Sequence, residues 1–178
     1  MQNLLTVLKK EIFPISLILI LAFARLIPHP PNFTPIIAVA IVSGYFFKNI
    51  NLSLLTLLIA MLISDLFIGF YENVIFVYAS LLLITFVFHK ISNKINFKNL
   101  FIYSFFGSLI FFIISNFGVW ALGSPEVRDI AYAKNLNGLV ECYILAIPFF
   151  GNSFLSTLIF AYPAISVYKS LTDRSSFR

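Results

Sequence analysis

The 178-residue sequence predicts an all-α membrane protein: a single integral membrane domain over residues 1–178, folded as one six-transmembrane-helix bundle. Three observations predict it. Hydrophobic residues make up 60% of the chain and charged residues 11%, with a mean hydropathy of +0.97, a balance that no soluble domain of this length carries. Apolar runs recur along the whole chain, and six helices of about 20 residues each would use most of it. The basic residues fall unevenly between alternate loops, as helices with one orientation in a bilayer require.

The segment MQNLLTVLKKE is short, basic and polar at intervals, and reads as an interfacial lead-in. The first span, about 12–27, runs into a proline loop instead of a small-residue cleavage site, so no cleavable signal is expected. From Arg25 to Gly44 the chain reads RLIPHPPNFTPIIAVAIVSG, the stretch around which the rest is organised. Four of the eight prolines, Pro28, Pro30, Pro31 and Pro35, lock φ there and bias the residues before them away from helix. A turn in water needs much less stiffness than this, which points to a shaped surface, with a rigid connector as the plain alternative. The second span, 35–48, is short for a hydrocarbon core of about 30 Å.

The third span, 52–70, carries Ser64 and Asp65 in its last turns, and after the turn GFYEN a fourth runs over 74–88. The polar loop HKISNKINFKN leads to the fifth, 100–122, with Asn116 and Trp120 near its end. Beyond GSPEVRDIAYAKNLNG, the apolar region from Leu139 to Tyr168 would be about 45 Å long as a helix, more than a bilayer core needs. A kink at Pro148 and Gly151 and an exit at Pro163 are expected, giving a sixth span over 139–163.

Six spans put both termini on one side. Of the twelve Lys and Arg residues, nine then share that side: Lys9, Lys10, Lys48, Lys90, Lys94, Lys98, Lys169, Arg174 and Arg178. Both termini are therefore expected to be cytoplasmic in a multi-pass protein of the cell's inner (plasma) membrane. The same distribution accounts for the net charge of +5 without nucleic acid as a partner.

In this topology the polar residues of the spans gather at the outer level. Arg25, Asp65, Asn116 and Trp120 end spans outward, Glu141 starts the sixth from outside, and Asn32 lies in the proline loop, with His29, Glu72, Glu126, Arg128 and Asp129 also in outer loops. Asp65 beside LLIAMLIS is expensive, roughly 3 kcal/mol on insertion scales, and needs a partner, for which Arg25 is the candidate. Each residue also has a plainer account. Arg25 and Asp65 could only snorkel or pair, Trp120 could anchor at the interface, Glu141 could favour a helix start, and Asn152 could bind carbonyls freed at Pro148. Together, Arg25, Asn32, Asp65, Asn116, Trp120 and Glu141 are the expected substrate-binding residues, suited to a ring bearing a polar or charged group.

Catalytic residues are not expected. His29 and His89 fall on opposite sides of the membrane and cannot share a metal, the single Cys142 forms no disulfide or cysteine cluster, and no relay of buried acids is evident. The tripeptide from Asn32 to Thr34 matches a glycosylation acceptor only formally. No cofactor is called for. Ala40 with Gly44, and Ser104 with Ser108 around Gly107, give helix faces that can pack closely, within the bundle or against another subunit.

The stretches RLIPHPPNFTPIIAVA, SDLFIGFY, ISNFGVW and NGLVECYILAIPFFGNS resemble an uncharacterised family of small bacterial proteins linked to transport. More distantly, the six spans, the short second span and the Asp65 to Gly69 ending of the third resemble the S components of energy-coupling factor (ECF) vitamin transporters. That resemblance implies an S-component-like bundle that binds a vitamin or related small molecule from outside. It also implies a transmembrane coupling protein and two ATPases as partners, besides membrane lipid; the chain itself lacks the GxxxxGK[ST] pattern of an ATPase. A non-transporting membrane scaffold or accessory subunit is the alternative expectation.

Overall fold

The computed structural model describes residues 4–92, 95–123 and 132–175, with side chains over 11–92, 95–123 and 132–170. Its elements are α1 (Leu4–Phe23), which tightens into a 3-10 turn at Ala24–Leu26, α2 (Ile36–Phe46), α3 (Ile50–Ile68), α4 (Val74–Lys90), α5 (Leu100–Leu122) and α6 (Leu136–Ser175). Among the described residues there is no strand. Helices α3, α5 and α6 are long and apolar enough to cross a membrane, while α2 and α4 are shorter apolar helices.

Two expectations are corrected. The basic N-terminal segment is no separate lead-in, because α1 already begins at Leu4 and continues through Pro14. The last helix does not end at Pro163: α6 is continuous for 40 residues with Pro148 and Pro163 inside it. At about 60 Å it is the longest element. A proline removes one intrahelical bond, and the neighbouring turns carry on when the flanking residues favour helix and pack on neighbours.

Local chemistry sets the ends of the elements. Asn49 caps α3, its side chain accepting from the amides of Asn51 at 2.9 Å and Leu52 at 3.4 Å, and Asn135 caps α6 by accepting from Gly138 N at 2.9 Å. Gly123 stops α5 in the left-handed region, at φ 70°, a standard helix stop. In the proline loop, Phe33 N donates to Pro30 O at 3.0 Å across Pro31 and Asn32, and Asn32 holds φ 59°. This is the pattern of a type II turn, with proline at the second position and a residue tolerant of positive φ at the third.

Helix α2 is the hub. Ile36 to Gly44 are all buried, and α2 packs on α1, α3, α4, α5 and α6. A helix that is apolar all round is stable only in such surroundings. The small residues expected to allow close packing do so inside the chain. A Cβ on Gly44 would lie 2.5 Å from Thr85 O, and the Thr85 hydroxyl donates to Ala40 O at 3.0 Å, locking α2 to α4. Gly107 faces Ile41 and Ile37 of α2, and the Ser108 and Thr157 hydroxyls lie 3.4 Å apart between α5 and α6. Edge-to-face phenylalanines complete that seam, with Phe105 against Phe150 at 5.6 Å and Phe101 against Phe154 at 5.2 Å.

The apolar core also holds small polar residues, and the outside is apolar too. Ser53, Thr56, Ser64, Ser80, Thr85, Ser156 and Thr157 are inside, while large apolar side chains such as Leu55, Ile59, Leu62 and Leu66 form exposed stripes. Chain direction places the α1–α2 and α3–α4 connections at one end of the bundle, with the end of α5 and the start of α6. At the other, Phe13 of α1 stacks on Tyr168 of α6.

Candidate functional site

Helix α2 is only about 16 Å long, so its first turn stops well below the ends of its neighbours and the proline loop must reach down to it. Above that turn lies a cavity of about 250 Å³. Arg25 from the end of α1, Asn32 and Thr34 from the loop, Ile36 from α2, and Tyr71 and Asn73 from the α3–α4 turn contribute to it. Val77 of α4 and Phe111, Ser115, Asn116 and Val119 of α5 close the remaining side.

The loop is held from α6. Asn152 Nδ2 donates to Pro31 O at 2.9 Å, Ser153 Oγ to Asn32 O at 3.4 Å and Ser156 Oγ to Thr34 O at 3.0 Å. Prolines leave loop carbonyls without intrachain amide partners, and a stripe of donors one helical turn long supplies them. The role expected for Asn152 is therefore corrected: its amide serves the loop, and not carbonyls freed at Pro148.

Behind the cavity wall lies an ion pair. Arg25 Nη2 is 2.7 Å from Asp65 Oδ1, with the two side chains 7% and 0% exposed. Arg25 Nη1 donates to Ser64 Oγ at 2.6 Å and touches Met61 Sδ at 3.6 Å, while the Tyr78 hydroxyl donates to Asp65 Oδ2 at 2.7 Å. The partner expected for Asp65 is thus the one it has. The pair joins α1, α3 and α4: Asp65 Oδ2 accepts from Tyr78, while Oδ1 is held by the charge contact with Arg25 and has no aligned hydrogen bond of its own. Tyr71, in the turn beside it, has its phenol pushed up from the ordinary 10.0 to about 12, first by burial and then by the Asp65 carboxylate, with Arg25 opposing. At neutral pH it is a hydrogen-bond donor.

Asn73 and Asn116 fix the other wall. Asn73 Nδ2 donates to Ser115 O at 2.9 Å, and Asn116 Nδ2 to Phe112 O at 2.7 Å. Gly118 permits this approach, since a Cβ there would sit 2.1 Å from Asn73 Oδ1 and 2.4 Å from the Phe76 ring.

Of the residues read from the sequence, Arg25, Asn32 and Asn116 line the cavity, and Asp65 stands behind Arg25. Trp120 and Glu141 do not line it. Trp120 Nε1 donates to Ala133 O at 2.9 Å, and Lys134 Nζ, 5.7 Å from the Trp120 ring centre, binds the carbonyls of Trp120 and Ala121. Trp120 therefore fastens the chain returning to α6, and Lys134 caps the negative end of α5. Glu141 is exposed in a shallow groove with Val140 and Ile144 because Cys142, one step of about 100° around the helix, is the inward residue. Glu126, Arg128 and Asp129 lie outside the described residues.

Sequence reasoning missed Tyr71, Asn73, Tyr78 and Ser115. Only the polar turn GFYEN and the need of a buried phenol for a partner offered any signal.

With Arg25 neutralised by Asp65, the lining offers amides, hydroxyls and two aromatic rings, Tyr71 and Phe111. Such a set can orient a small, flat molecule with hydrogen-bonding edges and no net charge. A model describing a family of unknown function (DUF6580) matches residues 6–177 of the chain. No curated protein and no solved structure matches it.

Proposed function

We propose that this chain, which belongs to that family of unknown function, is a six-span inner-membrane protein that binds a vitamin-like small molecule from outside for uptake. The observation that carries this reading is the cavity of about 250 Å³ above α2, lined by amides, hydroxyls and a guanidinium and built in part from the α1–α2 and α3–α4 connections. Its volume is that of about eight waters, which suits a single ring with one or two polar substituents.

The membrane part of the reading is supported by the exposed apolar stripes, which lipid would cover, and by the serines and threonines packed between helices. Three prolines inside helices, Pro14, Pro148 and Pro163, are tolerated far better in lipid than in water. Counted by chain direction along the sequence, nine of the twelve basic residues fall on the side of Phe13 and Tyr168, which supports a cytoplasmic side there and an external cavity. Energy for uptake would come from an ATPase module of the ECF type acting in trans.

A second reading has its own observation. Arg25 and Asp65 are engaged with each other and with Ser64 and Tyr78 inside the protein, as expected of a lock in a scaffold or accessory subunit.

Native mass spectrometry of the gently extracted protein separates the two. Transport predicts a discrete non-lipid adduct that disappears in Asn116→Leu while helicity is retained. Lipid adducts alone, unchanged by that substitution, favour the scaffold.

A further inference from the structure

We infer a second site, for a phosphate-bearing anion, at the opposite end of the bundle. A cavity of about 610 Å³ lies there, lined by Tyr45, Phe46, Phe47, Lys48, His89, Ser92, Ile95 and Tyr168. Its chemistry is unlike that of the first cavity. Lys48 is exposed in the α2–α3 turn, His89 lies in the last turn of α4 with Nδ1 3.5 Å from Ser53 Oγ, and Ser92 adds a hydroxyl. No carboxylate is among the described lining residues. Lys169 stands 5.9 Å from the centre of the Tyr45 ring, Lys90 follows His89, and the acid that acts on the lining is Glu11, through Tyr168. Among the described side chains at this end, Lys48, Lys90 and Lys169 outnumber the one acid, Glu11.

The other wall is aromatic and rigid. Phe46 stacks on Tyr168 at 4.2 Å, and the Tyr168 hydroxyl donates to Phe46 O at 3.1 Å, so α2 and α6 hold it open together. A cationic side facing an apolar one matches a phosphate ester carried on an organic group. Basic pockets between helices at the cytoplasmic side of a membrane suit anionic headgroups, and each lysine near such a surface adds roughly a fivefold factor in affinity. The lipid headgroup and the soluble phosphate share this chemistry.

The test uses the full chain in nanodiscs of phosphatidylcholine with phosphatidylglycerol, and in detergent with inorganic phosphate. Wild type is compared with Lys48→Gln/His89→Gln and, as a charge control away from the cavity, with Lys98→Gln. Native mass spectrometry of protein released from the discs counts retained phosphatidylglycerol, and calorimetry reads phosphate. Preferential retention of phosphatidylglycerol, falling about tenfold in the double variant and unchanged in Lys98→Gln, supports the site and makes lipid its source. Phosphate binding lost in the same way supports it with a soluble source. Equal retention and equal phosphate binding in wild type and a folded double variant would overturn the inference, as would an equal loss in Lys98→Gln. Should the double variant not fold, Lys48→Glu alone carries the comparison, with the same two readings.

Discussion

Replacing Arg25 by Met would leave the Asp65 carboxylate at 0% exposure with the Tyr78 hydroxyl as its remaining polar contact. Breaking a buried pair from one side costs about 3–5 kcal/mol, because the surviving charge keeps its desolvation penalty and loses its counterion. This corresponds to roughly two to nearly four orders of magnitude in the folding equilibrium. Removing the whole set should recover most of that. In Arg25→Met/Asp65→Leu/Tyr78→Phe no charge is orphaned, Ser64 Oγ keeps its bond to Met61 O at 2.9 Å, and the Tyr71 hydroxyl, which loses Arg25, still lines the cavity. The assay is reversible unfolding in mixed micelles, followed by helicity. Single substitutions that each cost under about 1 kcal/mol and add independently would refute the reasoning, since that is how exposed pairs behave. The triple variant also addresses function: a scaffold keeps its role once stability returns, whereas a binding protein whose cavity wall includes Arg25 loses its adduct.

Other outcomes follow from the same geometry. Gly44→Ala places a methyl 2.5 Å from Thr85 O, a backbone atom of α4 that cannot step aside, so thermal unfolding should show a loss of about 1–3 kcal/mol or more. Asn152→Ala and Ser156→Ala each free one loop carbonyl, and each should lower stability by about 1 kcal/mol and speed amide exchange at Asn32 to Thr34. Unchanged exchange would mean that the prolines alone shape the loop. Tyr71 binds its proton more tightly in the folded protein, at about 12 against 10.0. Its contribution to stability is therefore complete below pH 10 and lost as pH rises from 10 through 12. Phenolate absorbance of wild type minus Tyr71→Phe should rise near the upper value, and a rise near the lower one would mean that Tyr71 is exposed.

Much of this protein was legible as sequence, for reasons that are local. Composition and runs of apolar residues place six helices because a backbone in apolar surroundings must satisfy its own hydrogen bonds. The clustered prolines announce a shaped loop because each fixes its φ without help from the rest of the chain. The acid among leucines in span three demands a cation, and Arg25 was the nearest fit at the same level. Residues such as Asn32 and Asn116 could be placed at the right end, since chain direction alternates with each helix.

What only the tertiary structure decided is rotation and continuity. A step of one residue turns a side chain by about 100°, so Cys142 faces inward and Glu141 outward, a distinction the neighbouring apolar residues do not signal in a helix with both faces apolar. Trp120 left the expected site for the same reason, while Tyr71 and Asn73 entered it because the turn after α3 folds over α2. Pro163 reads as the end of the last span, yet α6 runs on through it because its stability rests on packing against α2 and α5. Asn152, Ser153 and Ser156 meet the loop more than a hundred residues away, a pairing that exists only once α6 lies against α2.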